Sequence, residues 1–290
     1  MRTARPRLGS HVSVEGGFDR AFDRTASLGA EAFQIFVRSP RQWTGRVLPE
    51  EEVARFRRRL AASGLARFAL AHASYLLNLA SPDREIRERS VVALADEIAR
   101  AAALGVPALV LHPGAHLGSG EAAGLDRVAA GLDAALAARR AHPVRVLLEI
   151  TAGQGTSLGY RFAHLGRILT RARCRDRLGV CFDTCHAVAA GYDLGSPRAY
   201  ARTMAELDRE VGLARVRAFH LNDSKHPRAS RRDRHEHIGH GSAGLATFRA
   251  ILRDRRFADL PMVLETPKGP DLAEDRQNLA VLRRLAGIER

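Results

Sequence analysis

Along the chain, short apolar or β-branched runs alternate with longer stretches whose apolar residues recur at helical spacing. The short runs are Leu8 to Val12, Ala32 to Val37, Arg67 to His72, Ala108 to His112, Val144 to Ile150, Leu178 to Asp183, Val216 to His220 and Pro261 to Glu265. Their length and composition predict strands. Phe18, Phe22, Thr25 and Leu28 fall on one face of the first helix, and Leu272, Leu279, Leu282 and Leu285 form the stripe of the last. Ser81-Pro82 and Ser196-Pro197 each read as an N-cap followed by proline at the first helical position. Eight such strand–helix units with no Pro/Gly-rich linker between them predict an α/β chain forming one domain over residues 1–290, a (β/α)8 TIM barrel. An open doubly wound sheet alternates in the same way, but it usually carries a glycine-rich phosphate turn after its first strand. Ser13-Val14-Glu15-Gly16-Gly17 lacks the G-x-G-x-x-G order.

The polar positions favour the closed form. Six of the eight runs finish in a residue able to bind metal: His72, His112, Glu149, Asp183, His220 and Glu265. A barrel makes these strand ends converge at its C-terminal face, where the sites of this fold are built, whereas an open sheet spreads them along a line. Alternation along a strand places Val110 with His112, Leu147 with Glu149, Cys181 with Asp183 and Ala218 with His220 on one face. An apolar interior capped by one polar layer is therefore expected. Arg217 would then face the helices and have to snorkel to water. Taken singly, each histidine could be an ordinary hydrogen-bonded residue and each glutamate the partner of an arginine. Six such placements together call for one common cause, since a carboxylate deep on a strand is costly unless paired or metal-bound.

A second group lies outside that ring. His186 follows Asp183 by three residues, and Asp233 and His235 stand two apart in DRHEH, so His186, Asp233 and His235 make a further N/N/O ligand set. The mixture of histidine and carboxylate suits zinc first, with manganese or iron as alternatives, and suits magnesium or calcium poorly.

Composition adds limits. The 290 residues are 46% hydrophobic and 27% charged, as in an ordinary globular protein. Formal net charge is +14, and only Lys225 and Lys268 among the 46 basic residues are not arginine. Either codon composition or a polyanionic partner could produce that excess. Cys174, Cys181 and Cys185 make no disulfide framework and are expected to be small core or near-site residues. No run approaches the roughly 18 apolar residues of a membrane span, and the N-terminus shows no export signal. A cytoplasmic protein without a membrane partner is expected, and no feature requires more than a monomer.

The motifs that carry this chemistry are GSHVS (Gly9 to Ser13), PRQW (Pro40 to Trp43), HASYLLNLA (His72 to Ala80), HPGAHLG (His112 to Gly118), LEITAGQG (Leu148 to Gly155), GVCFDTCHAVAAGYD (Gly179 to Asp193), FHLNDSK (Phe219 to Lys225), DRHEHIGHG (Asp233 to Gly241) and LETP (Leu264 to Pro267). In this order, over essentially the whole chain, they resemble the endonuclease IV family of apurinic/apyrimidinic endonucleases. The resemblance implies three zinc ions per chain, with manganese an alternative at one or more sites. His72, His112 and Glu149 would hold the first zinc. Glu149 would bridge to a second held with Asp183, His220 and Glu265, and His186, Asp233 and His235 would hold the third. Glu149 and Glu265 would be the catalytic carboxylates. Two departures stand out: Ile150 follows the bridging glutamate where an asparagine is common, and Arg38-Ser39 replaces a frequent Lys-Asn pair.

The implied activity is hydrolysis of the phosphodiester 5′ to an abasic site in double-stranded DNA, leaving a 3′-hydroxyl and a 5′-deoxyribose phosphate, with removal of 3′-blocking groups as well. Neighbouring metals can acidify water and polarise a phosphoryl group. The resemblance assigns Arg41, Tyr75 and Leu76 to the gap left in the duplex, a role their stacking and wedging side chains suit. A metal-dependent sugar isomerase or epimerase on a related barrel is the main rival. It shares the strand-end ligands but needs neither a third metal set nor a wedge loop. A DNA-binding barrel without catalysis would not need so many converging ligands.

Overall fold

Hydrogen bonding between neighbouring runs decides the architecture. The computed structural model describes residues 5–139 and 142–288. Its strands are β1 (Arg7–His11), β2 (Ala32–Phe36), β3 (Ala69–His72), β4 (Ala108–Leu111), β5 (Arg145–Glu149), β6 (Leu178–Asp183), β7 (Val216–His220), β8 (Asp223–Ser224), β9 (His235–Glu236) and β10 (Pro261–Leu264). All but β8 and β9 pair in parallel, in the order β1-β10-β7-β6-β5-β4-β3-β2, and close into a barrel. The open-sheet alternative is excluded. β8 and β9 form a small antiparallel ribbon in the segment that follows β7. The helices are α1 (Arg20–Ser27), α2 (Glu50–Ser63), α3 (Arg84–Leu104), α4 (Glu121–Ala137), α5 (Phe162–Arg171), α6 (Thr184–Ala190), α7 (Pro197–Glu210), α8 (Gly244–Arg253) and α9 (Ala273–Ala286). Among the described residues no helix is long and apolar enough to cross a membrane.

Strand alternation divides the core in two. Ala32, Leu70, Ala108, Val110, Leu147, Cys181, Ala218 and Val263 pack inside the barrel, including all the inner partners expected from sequence. Phe33, Ile35, Leu109, Val146, Leu148, Phe182 and Phe219 belong to the outer shell shared with the helices. The interior is narrow beside β1, where a Cβ on Gly9 would stand 1.8 Å from the Ala32 carbonyl oxygen. No side chain fits there, which explains the glycine in GSHVS.

Three local expectations are corrected. Arg217 does not face the helices from a regular strand. The β6–β7 register pairs Val180 with Val216 and Cys181 with Ala218, so Arg217 is the extra residue of a bulge. Its stem runs past Gly179, where a Cβ would lie 3.0 Å from Arg217 Cγ, and the residue is solvent-exposed. Ser81 does not cap α3 either. Its hydroxyl accepts the amide of Asp83 two residues on, and Asp83 becomes the N-cap, accepting from the Ile86 amide. Pro82 thus lies in the turn. By contrast Ser196 caps α7 through the Ala199 amide, with proline at the helix start. Leu272 is buried, but as the left-handed residue that precedes α9.

Candidate metal centre

The strand-end carboxylates and imidazoles meet around Glu149. This residue is fully buried at the end of β5. Its Oε2 lies 3.2 Å from His72 Nε2 and 3.0 Å from His112 Nε2. Its Oε1 lies 2.9 Å from His220 Nδ1 and 3.2 Å from His186 Nδ1. Among the described residues no arginine or lysine pairs with it. A buried carboxylate surrounded only by imidazoles needs protons or a cation to offset its desolvation.

Two of the three residue groups drawn from the resemblance come together as drawn. His72, His112 and Glu149 form one group, and Glu149, Asp183, His220 and Glu265 form another, each with ligand atoms within 4.8 Å of one another. β4 and β10 stop at Leu111 and Leu264, so His112 and Glu265 open the loops that follow. The third group is wider than drawn. Asp183 joins His186 and His235, while Asp233 Oδ1 lies 3.1 Å from His186 Nε2 and 3.5 Å from His235 Nε2. Histidine, aspartate and glutamate donors in this arrangement suit a transition metal such as zinc.

Backbone carbonyls fix most of the imidazoles. Because a carbonyl only accepts, His72 Nδ1 must donate to Ala73 O at 2.7 Å, His186 Nδ1 to Ile150 O at 2.9 Å and His235 Nδ1 to Glu265 O at 3.0 Å. Each leaves Nε2 facing the cluster as the nitrogen a metal would take, the arrangement that holds metal-ligating histidines elsewhere. Ile150 therefore contributes through its main chain, while its side chain packs in the outer shell. Asp183 has two roles. It caps α6 by accepting the His186 amide at 2.7 Å, which brings His186 back over the barrel mouth. Asn222 donates to Asp183 Oδ2 at 2.6 Å and accepts the Glu265 amide at 2.7 Å. Asp223 instead accepts the amides of Ser224, Gly239 and Ala243, and Lys225 is exposed. The three residues of that motif are thus divided between ligand support, loop support and surface.

The electrostatics follow from burial and contact. Burial alone would raise the Glu149 carboxyl, but His220 and His112 outweigh it and hold it well below the usual range. For Glu265 burial is likewise overcome, by His220 and His11. Burial would lower His186, yet Asp183 and Asp233 lift it well above the ordinary imidazole value. His220 is lifted in the same way against burial, by the carboxylates of Glu265 and Glu149. Burial pushes the thiols of Cys181 and Cys185 up to about 12, so in the metal-free protein they are protonated near neutrality.

The cluster opens into a cleft lined by Tyr75, Asn78, His112, Gly114, Gln154 and Asp233. Tyr75 is 62% exposed and meets Phe36 at 5.5 Å and His72 at 5.8 Å between ring centroids. Leu76 is half-exposed, and it is Leu77 that enters the core; Arg41 is exposed. Trp43 is an anchor, partly buried with Arg89 stacked on its ring at 4.5 Å. Arg38 reaches from the end of β2 to both Glu97 and the Trp43 carbonyl, and Glu97 also accepts the Ser74 amide. A buried ion pair thus ties the Arg41 loop to the Tyr75 loop. Sequence reading missed His11 and Gln34, which lie against Glu265. The available signal was Gln34 itself, a polar residue in the inward register of the apolar run AFQIF.

Comparison with known proteins agrees with this fold. Residues 22–285 match the xylose isomerase-like TIM barrel family. The chain is 53% identical over 283 residues to a protein of Chloroflexus aggregans named probable endonuclease 4, covering 98% of this chain and 99% of that one. The structure of endonuclease IV from Thermus thermophilus superimposes with a TM-score of 0.85 at 41% identity, covering 98% of this chain and 100% of the other. A D-tagatose 3-epimerase-like protein shares the fold alone, at 19% identity and a TM-score of 0.74 over 97% of this chain and 98% of that one. With the near-complete match in sequence joined to the same closed barrel, the chain belongs to the endonuclease IV family of the xylose isomerase-like TIM barrels.

Proposed function

We propose that the chain is a zinc-dependent AP endonuclease that hydrolyses the phosphodiester 5′ to an abasic site in duplex DNA, leaving a 3′-hydroxyl and a 5′-deoxyribose phosphate, and that also removes 3′-blocking groups. The observation that carries this reading is the overlap of three ligand groups through Glu149 and Asp183 at one barrel mouth. His72, His112 and Glu149 would hold one zinc, Glu149, Asp183, His220 and Glu265 a second, and His186, Asp233 and His235 a third. Manganese would fit the same donors. A sugar epimerase has no need of the third group.

Bound zinc supplies Lewis acidity, acidifying water and neutralising charge on the phosphate. The protein supplies position. Glu149 Oε1 and Glu265 Oε2 converge on His220 Nδ1, at 2.9 and 3.1 Å, and as ionised carboxylates they accept hydrogen bonds from the attacking water and orient it. His112 and Asp233, with side chains 33% and 41% exposed, form the open side through which the phosphodiester enters. The apolar layer of Val110, Leu147, Cys181 and Ala218 lies within the barrel and excludes water from below. Arg41, Tyr75 and Leu76 occupy the gap beside the extruded abasic sugar, which lacks a base and leaves the stack at lower cost than an intact nucleotide.

The test is incubation of zinc-loaded protein with a labelled duplex carrying one abasic site, with a matched intact duplex and with simple pentoses. Incision beside the lesion only, with a product end that a polymerase extends and full loss on chelation, is the expected result. An unsaturated sugar at the 3′ end, or pentose isomerisation without incision, would overturn the reading.

A further inference from the structure

Gln34 is fully buried halfway along β2, two residues from Ala32 in the inward register. An uncharged amide so placed must find partners for both ends. Gln34 Nε2 lies 2.6 Å from Glu265 Oε1 and 3.0 Å from His11 Nδ1. Gln34 Oε1 lies 2.9 Å from His220 Nε2. The orientation of the amide is not free, because reversing it would set two oxygen acceptors against each other at the Glu265 contact. Glu265 thus points the amide carbonyl at His220, and the carbonyl requires a proton on His220 Nε2. His220 Nδ1 is then the nitrogen left for a ligand, facing Glu149 Oε1 at 2.9 Å, Glu265 Oε2 at 3.1 Å and Asp183 Oδ2 at 3.8 Å. His220 differs here from His72, His186 and His235, whose proton-bearing nitrogen is fixed by a main-chain carbonyl that no side-chain substitution removes.

We propose that Gln34 is a positioning residue for the four-ligand group: it selects Nδ1 of His220 as the metal-facing nitrogen and, through the same amide, fixes the Glu265 carboxylate opposite it. The inference rests on the metal reading of the site. Gln34 touches neither substrate nor reacting atoms; it acts through two ligands from β7 and the β10 end, across the barrel from its own strand. One side chain therefore governs two of the four donors, and its loss loosens that group while leaving His72, His112, His186 and His235 as they are.

The experiment compares the unaltered chain with Gln34→Leu, which keeps the volume and removes the hydrogen bonds to Glu265, His11 and His220, and Gln34→Glu, which keeps an acceptor for His220 and loses the donor to Glu265. Metal-free proteins are titrated with Co2+ against a chromophoric chelator, and the visible spectrum of each equivalent is recorded alongside the melting temperature of the metal-free form. Gln34→Leu should lose about 10- to 100-fold in affinity for one equivalent only, with an altered cobalt spectrum for that equivalent. Gln34→Glu should retain His220 ligation but show an altered spectrum as well. The zinc-loaded unaltered protein should carry the His220 ring proton on Nε2 by 15N spectroscopy, and Gln34→Leu should lose that single assignment. Unchanged affinities and spectra in Gln34→Leu, or a His220 proton on Nδ1 in the loaded protein, would overturn the proposal while leaving the metal site intact. Failure of the unaltered chain to bind Co2+ would overturn the metal reading and this inference together.

Discussion

At the residue scale, Glu149 is the point on which the site turns. Its two oxygens face four imidazoles and its carboxylate belongs to two ligand groups, a place it shares with Asp183, so a change there reaches further than a change at a ligand of one group. Glu149→Gln should lower zinc content at two positions and abolish incision, while His235→Ala should remove one zinc and spare the other two. Plasma emission analysis of the purified variants measures both; full zinc with normal incision in Glu149→Gln would remove it from its bridging place. The histidine shifts add a pH prediction. Burial lowers His72 and His220, but Glu149, Glu265 and their neighbours raise both above the ordinary value, and His186 is raised likewise. In the metal-free protein the rings of His186 and His220, lifted well above the ordinary value, keep protons at neutral pH that zinc must displace. Zinc uptake near pH 7 should therefore release protons, and apparent zinc affinity should fall as the solution is acidified. Calorimetry in buffers of different ionisation heat reads the released protons directly; no buffer dependence would contradict the assignment.

At the scale of elements, the loops after β2 and β3 are held by α3. Glu97 on that helix is fully buried, accepts from Arg38 and takes the Ser74 amide, while Ser74 Oγ donates to Pro40 O at 2.8 Å. Arg38 offers several donors in a planar fork and so reaches Glu97 and the Trp43 carbonyl at once, which a lysine in its place would do less well. Arg38→Met leaves Glu97 buried without its cation, and losses of about 3–5 kcal/mol accompany such a break. The variant should unfold at lower denaturant concentration and bind abasic duplex more weakly, yet keep its zinc, since no ligand is touched. Tyr75→Ala with Leu76→Ala should weaken binding to abasic duplex without the stability loss, because both side chains are largely outside the core. A double variant that binds like the unaltered chain would take the wedge role away from this loop.

At the scale of the molecule, the +14 charge and the barrel mouth define one expectation. Many arginines are already paired with carboxylates, among them Arg7, Arg46 and Arg59, and serve the fold. The rest can contact a polyanion only if they lie along its path. Binding of abasic duplex should then weaken with salt by a log–log slope of about 0.9 for each phosphate neutralised. A flat salt response, followed by fluorescence anisotropy at saturating zinc, would return the arginine excess to coding composition.

What the sequence by itself determined is the fold class, the positions of the eight barrel strands to within a few residues, the apolar interior and the nine residues proposed as ligands. These are legible because strand alternation and strand-end chemistry are local: Leu147 and Glu149 share a face whatever surrounds them. Tertiary structure decided what depends on partners distant in the chain. It made Arg217 the extra residue of a bulge, because the register between β6 and β7 is a property of the pair and not of either strand. It moved the α3 cap to Asp83, because the Ser81 hydroxyl is engaged by the Asp83 amide in a turn. It brought Asp183 within reach of the third group, and it gave Gln34 a place beside His220, 186 residues away in the chain. Closing a barrel sets opposite strands face to face, and no period in the sequence records which buried amide will meet which imidazole.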